Sequence, residues 1–159
     1  MKTKIMALGL LIAGLNIASA DHHEKMKAPN DGRIISSVTP HAEFLVTKDK
    51  KVEIRFMEAG KVVAPTTQVV TITMGDRANP TKLAFTKDGD KLVSDKMVPA
   101  GDKLPVVLQI AAKEGDKAVT EKFNLDMSAC PDCKIAEYAC DCHGDAGKKK
   151  PATGGASKK

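Results

Sequence analysis

From about residue 33 the chain alternates apolar and polar positions over short stretches divided by turn residues. Val52, Ile54 and Phe56 share one side of "KVEIRFM", Val70, Ile72 and Met74 one side of "QVVTITM", and Val106, Leu108 and Ile110 one side of "PVVLQIAA". Val119, Phe123 and Leu125 in "AVTEKFNL" keep the period, with Glu121 as the exception. A period of two with one polar side predicts half-buried antiparallel strands. "RIISSV", "AEFLVT", "KVVA", "KLAFT" and "KLVSD" read as further short strands. Gly-Asp steps at 75–76, 89–90, 101–102 and 115–116 punctuate these runs. Glycine supplies positive φ and aspartate bonds its own backbone, so both suit turns. The pattern predicts an all-β protein, an immunoglobulin-like β-sandwich over 33–127, without the disulfide and tryptophan of antibody domains. "DGD" at 88–90 offers too few carboxylates for a calcium loop and reads as a hairpin turn.

The flanks differ. Residues 1–20 combine Lys2 and Lys4, the apolar run "IMALGLLIAGLNI" and the small residues "ASA". That is the pattern of a secretory signal peptide, and the run is shorter than the roughly 20 residues a membrane span needs. A periplasmic or secreted protein is expected, its mature chain starting at Asp21. Residues 21–32, "DHHEKMKAPNDG", read as a flexible lead-in. Residues 128–143 form a Cys-rich appendage in which "DCKIAEYAC" has room for one or two helical turns. Residues 144–159, "GDAGKKKPATGGASKK", hold almost nothing to bury and read as a disordered tail.

Charge changes the picture only at that tail, which carries five lysines against one aspartate. Residues 21–143 hold 18 basic and 19 acidic side chains, so the body is not a nucleic-acid surface. Aromatics are too few for a base-stacking platform. The lysines would instead favour weak contact with an anionic surface. No Ser/His/Asp order, spaced carboxylate pair or glycine-rich phosphate loop stands out, and a non-catalytic protein is expected.

The candidate chemistry lies in "CPDCKIAEYACDCHGD", which contains Cys130, Cys133, Cys140 and Cys142, every cysteine of the chain, with His143 behind. Haem attachment needs Cys-x-x-Cys-His, and neither pair supplies it. "CPDC" looks like a thioredoxin-type site, but such a site needs a long helix after it to lower the first thiol's pKa. Two readings stay open. Secreted cysteines usually oxidise, and Cys130–Cys142 with Cys133–Cys140 is one of three pairings. Alternatively four thiolates surround Zn²⁺ tetrahedrally or take soft Cu(I), with His143 as a fifth donor. Cys-x-x-Cys is a zinc-knuckle spacing, whereas Cys-x-Cys is more at home in copper or multi-metal thiolate sites.

A second metal candidate is the expected mature N-terminus, Asp21-His22-His23. The free amine, two backbone amide nitrogens and the His23 imidazole can form the nitrogen square plane typical of Cu(II). His41, in "TPHAEF", reads as a surface or hydrogen-bonded structural histidine.

"APNDGRIISSVTPHAEFLVTKDKKVEIRFMEAGKVVAP", residues 28–65, resembles a small envelope β-domain. That domain is found free-standing or at the front of periplasmic adaptor subunits of heavy-metal (RND-type) efflux pumps. The matching steps are Asn30–Arg33, with Asp31 where a glycine is usual, Pro40–Phe44 and Gly60–Lys61. The Cys-rich end after "KFNL" extends the resemblance weakly to about residue 142. Its motifs carry structure rather than chemistry and assign no site residue. The resemblance implies a bacterial envelope protein in a metal-handling setting, with an efflux adaptor or another envelope protein as partner. Three functions follow for testing: a transition-metal binder, an envelope interaction domain with structural disulfides, and a thiol-disulfide oxidoreductase.

Overall fold

A computed structural model describes residues 27–142. Residues 1–20, read above as a signal peptide, Asp21, His22, His23, His143 and the tail at 144–159 lie outside the described residues. Ten strands are present among the described residues: β1 (Arg33–Ile35), β2 (His41–Val46), β3 (Lys51–Glu58), β4 (Lys61–Val63), β5 (Val69–Met74), β6 (Thr81–Leu83), β7 (Phe85–Asp88), β8 (Lys91–Met97), β9 (Lys103–Ala111) and β10 (Val119–Asp126). One antiparallel sheet has the order β1-β2-β3-β8-β7, with β4 also paired to β3, and the other β10-β9-β5-β6. In immunoglobulin lettering, β2-β3-β8-β7 runs A-B-E-D and β5-β9-β10 runs C-F-G. The chain is therefore the all-β sandwich that the alternation predicts.

The alternating apolar positions build the core. Phe44, Val52, Ile54 and Phe56 come from one sheet, and Val70, Ile72, Met74, Val106, Leu108 and Ile110 from the other; all are buried. They meet across the ladders as Phe44 opposite Ile54, Val70 opposite Ile110 and Ile72 opposite Leu108. Each such side chain contributes about 1.5–3 kcal/mol when fully buried, and a one-residue slip would turn the whole row to water. The "DGD" stretch is the expected hairpin: Asp88 pairs with Lys91 across Gly89-Asp90, and Gly89 takes a φ of +61°.

Three places differ from the alternation. "KLAFT" is not one strand, because the chain changes sheets at Ala84, leaving β6 in one sheet and β7 in the other. Asp95 holds the crossing point. Its carboxylate accepts the Ala84 N–H at 2.9 Å, and its own N–H donates to the Ala84 carbonyl at 2.9 Å. Val119 is exposed, whereas Leu125 at the other end of β10 is buried. On the outer face of β3, Glu53 binds Arg55 at 2.5 Å and Lys91 at 2.7 Å. Burial works to raise the Glu53 carboxyl, but the hydrogen bonds from Lys91 and Arg55 outweigh it and hold the group below its ordinary range.

The end of the stretch expected as a flexible lead-in is pinned. Glu43 is fully buried on β2. It accepts the Asn30 N–H at 2.8 Å, the Asn30 side-chain amide at 2.9 Å and the Gly32 N–H at 3.1 Å. A buried carboxylate without such donors would cost several kcal/mol. Gly32 is required by close approach, since a Cβ there would lie 2.6 Å from the Phe44 carbonyl oxygen and 2.7 Å from Glu43 Cγ. The motif steps at 30–33 and 40–44 are thus partners in space. Within the second step, after a cis Thr39–Pro40 bond, His41 Nδ1 lies 2.9 Å from the Val38 carbonyl, the structural role expected of it.

Candidate metal centre

The Cys-rich segment is built as a small hairpin followed by a single turn. Ala129 bridges Ala136, Cys130 N–H donates to the Ile135 carbonyl at 2.8 Å, and Lys134 N–H donates to the Cys130 carbonyl at 3.0 Å. Pro131 suits the position after the first cysteine, since its fixed φ is pre-set for a turn. Lys134 closes the loop in the left-handed region at φ +64°. This geometry presents Cys130 and Cys133 from one tight loop. Of the one or two helical turns expected next, one forms, the 3-10 turn Glu137–Ala139. Cys140 behind it is extended, with φ −78° and ψ 127°. Extended backbone puts side chains i and i+2 on the same face, the physical reason a Cys-x-Cys pair can converge on one point.

The four sulfurs do converge. The Sγ atoms of Cys130, Cys133, Cys140 and Cys142 all lie within 4.8 Å of one another. Cys133 Sγ and Cys140 Sγ are 3.4 Å apart. Tetrahedral zinc with Zn–S bonds of about 2.3 Å places its sulfurs roughly 3.8 Å apart, so small side-chain adjustments suffice. Cys130 is buried, Cys133 and Cys140 are half-buried and Cys142 is exposed.

Backbone amides surround this cluster and set its charge. Cys133 N–H, with Asp132 N–H adding to it, holds the Cys130 thiol below its ordinary value. Cys133 is lowered to about 7, first by the Cys142 thiol and then by the Ile135 N–H. Cys142 N–H approaches Cys140 Sγ at 3.3 Å and works to lower it. The side-chain hydrogen bond with Cys130, burial and the contacts with Cys133 and Cys142 outweigh that donor, and Cys140 is pushed up to about 12. Cys142 is raised as well, chiefly because its thiol donates to Cys133. In the reduced protein Cys130 and Cys133 are thus the easier thiols to ionise, and Cys140 and Cys142 the harder. A cation placed among them replaces those shared protons.

The appendage is docked on the sandwich, and the residue that docks it was not singled out from the sequence. Tyr138 is 4% exposed and belongs to the hydrophobic core. Its hydroxyl accepts the Val46 N–H at 3.0 Å, and its ring meets Phe44 edge-on at 5.7 Å. Its carbonyl accepts from Arg33 Nη1 at 3.1 Å, while the Arg33 guanidinium lies 4.8 Å over the Phe123 ring. The available signal was a lone tyrosine, the only one in the chain, between two cysteine pairs in an otherwise polar segment.

Beside the cluster lies a cleft of about 320 Å³, whose lining includes Cys133, Cys142, Lys27, Ala28 and Asp31. The strand-to-long-helix setting of a thioredoxin-type site does not follow Cys130–Cys133; a turn and the 3-10 turn do. Of the expected site residues, the four cysteines come together, and Asp21, His22, His23 and His143 lie outside the described residues.

No protein-family description, no curated protein and no solved structure matches the chain. Nothing in those comparisons links it to efflux-pump adaptor subunits, and that likeness stands on the sequence motifs alone.

Proposed function

We propose that the protein binds a transition metal in the bacterial cell envelope, through the thiolates of Cys130, Cys133, Cys140 and Cys142. The convergence of four sulfurs within 4.8 Å carries this reading. The donor set suits Zn²⁺ or Cu(I), with His143 as an auxiliary donor. The signal-like start supports a periplasmic or secreted location, and the motif resemblance supports passing metal toward an efflux adaptor or another envelope protein. The Asp21-His22-His23 terminus is a separate Cu(II) site in the same proposal. The lysine tail adds weak attraction to anionic surfaces.

Elemental analysis of protein purified from the envelope without chelator, with intact mass before and after alkylation, tests it. Four thiols that become alkylatable only once metal is removed, and one metal per chain beyond any copper held at the N-terminus, support the reading. The 3.4 Å approach of Cys133 and Cys140 favours a second reading, in which these two form a disulfide and the domain serves as a non-catalytic envelope interaction module. Fully oxidised cysteines in the native protein, together with a reduced form that yields its metal to a mild chelator, select that second reading.

A further inference from the structure

The four cysteines are not held equally. Cys130 is buried, and the backbone amides of Asp132 and Cys133 are aimed at its sulfur. Cys133 receives the Ile135 amide and Cys140 the Cys142 amide. Amides aimed at ligand sulfurs fix their positions as outer-shell partners do. Cys142 is the exposed member. It is also one of the two cysteines that border the cleft. A metal bound here would have three sulfurs that backbone amides approach and a fourth, Cys142, exposed at the cleft.

The opening has a chemical character. Its walls include Ala28, Ile34, Ile135 and Ala139, and its volume of about 320 Å³ is that of a small-molecule site. Lys27 supplies a cation, while Asp31 and Asp141 supply anions. A lining that combines charges of both signs, apolar side chains and an exposed sulfur matches a small molecule carrying a thiol, a carboxylate and an ammonium group.

We propose that this cleft admits a small zwitterionic thiol, of the cysteine class, which displaces Cys142 from the metal and so opens the site for release. The inference rests on the metal-binding reading above. The metal–sulfur bond to Cys142 breaks and a metal–sulfur bond to the incoming thiol forms. The thiol's proton passes to the departing Cys142 sulfur, and the oxidation state of the metal is unchanged. Cys130, Cys133 and Cys140 keep their hold during the exchange.

The test uses the full chain loaded with Co(II), whose visible bands report sulfur ligation, and follows metal transfer to a chromophoric chelator. L-Cysteine is compared with 2-mercaptoethanol at equal thiolate concentration. L-Cysteine is expected to speed transfer about tenfold, the size of effect usual for altering one metal contact, and mercaptoethanol to do markedly less. Cys142→Ser is expected to release metal faster without thiol and to lose the response to L-cysteine. Ala28→Phe, which fills the cleft, and Lys27→Glu, which reverses an exposed charge, are each expected to blunt that response while leaving equilibrium Co(II) occupancy within about twofold. Equal acceleration by the two thiols, or a full L-cysteine response in Cys142→Ser, would overturn the inference and leave the metal reading standing. Wild-type protein that takes up no Co(II) when reduced would overturn the metal reading itself.

Discussion

Replacing Tyr138 with phenylalanine isolates the contact that ties the Cys-rich segment to the sandwich. The change keeps the ring, and with it the edge-on contact to Phe44, and removes only the hydroxyl that accepts the Val46 N–H at 3.0 Å. Val46 sits at the end of β2, partly buried, and its N–H is left without that acceptor. A buried donor stripped of its partner costs about 1–3 kcal/mol, and partial exposure places this case at about 1–2 kcal/mol. For a domain of this size an unfolding entropy of about 2.1 cal/mol/K per residue converts that into a melting shift of roughly 4–8 °C. Tyr138→Ala, which also deletes a buried ring, should cost about 3–5 kcal/mol. Denaturant unfolding and calorimetry measure both, and amide exchange at Val46 reads the bond directly. Phenylalanine at 138 with stability within about 0.5 kcal/mol of wild type and unchanged Val46 protection would refute the reasoning. It would mean that the segment rests on the sandwich without being bonded to it.

Gly32→Ala should cost about 1–3 kcal/mol, because the new Cβ would stand 2.6 Å from the Phe44 carbonyl oxygen; an unchanged unfolding midpoint would show that the backbone there yields freely. Glu53→Gln leaves Arg55 and Lys91 without their carboxylate and should cost about 1.5–3 kcal/mol at neutral pH. Since the folded Glu53 carboxyl lies below its ordinary 4.5, its contribution is present above that pH and is lost as pH falls through the folded value. The wild-type advantage over Glu53→Gln should therefore shrink in acid, which denaturation across pH 3 to 7 can check. Zinc uptake by the reduced protein should release protons, because Cys140 is held up to about 12 and must still ionise. Calorimetry in buffers of different ionisation enthalpy should count more protons at about pH 6 than at about pH 8, since Cys133 at about 7 is largely ionised by then; a constant count would contradict the order of the thiols.

The sandwich was legible in the sequence because burial on one face of a strand writes itself as a period of two. Val52, Ile54 and Phe56 could be assigned to one face without knowing what they touch. The cysteine cluster was legible as a set, since all four thiols sit within thirteen positions and a short chain segment cannot keep them far apart. The sheet change at Ala84 was hidden, because "KLAFT" shows no break in composition; only Asp95, eleven residues on, marks it. The Glu43 anchor was hidden for a related reason. A buried glutamate looks like any polar residue in an alternating strand until its partners arrive, and Asn30 and Gly32 come from a stretch that reads as loose. Tyr138 likewise depends on a pairing 92 positions away, with the Val46 N–H. Contacts of that span leave no local pattern.

Lys27, ahead of β1, and Cys142, just after the 3-10 turn, border the same cleft. The domain is therefore nearly a closed ring, with both its ends leaving at one place. Joining ends that already lie close costs little closure entropy, so a permuted chain that links them and opens instead at an exposed turn such as Gly115-Asp116 should keep the fold. The same closeness has a mechanical side. Tension applied between the two ends would not run along the long ladders of β3, β9 and β10. It would peel first at three-residue β1 and at the Cys-rich hairpin. The place where the thiols gather is the seam at which the ring closes, and a cation bridging Cys130, Cys133, Cys140 and Cys142 would act there as its clasp.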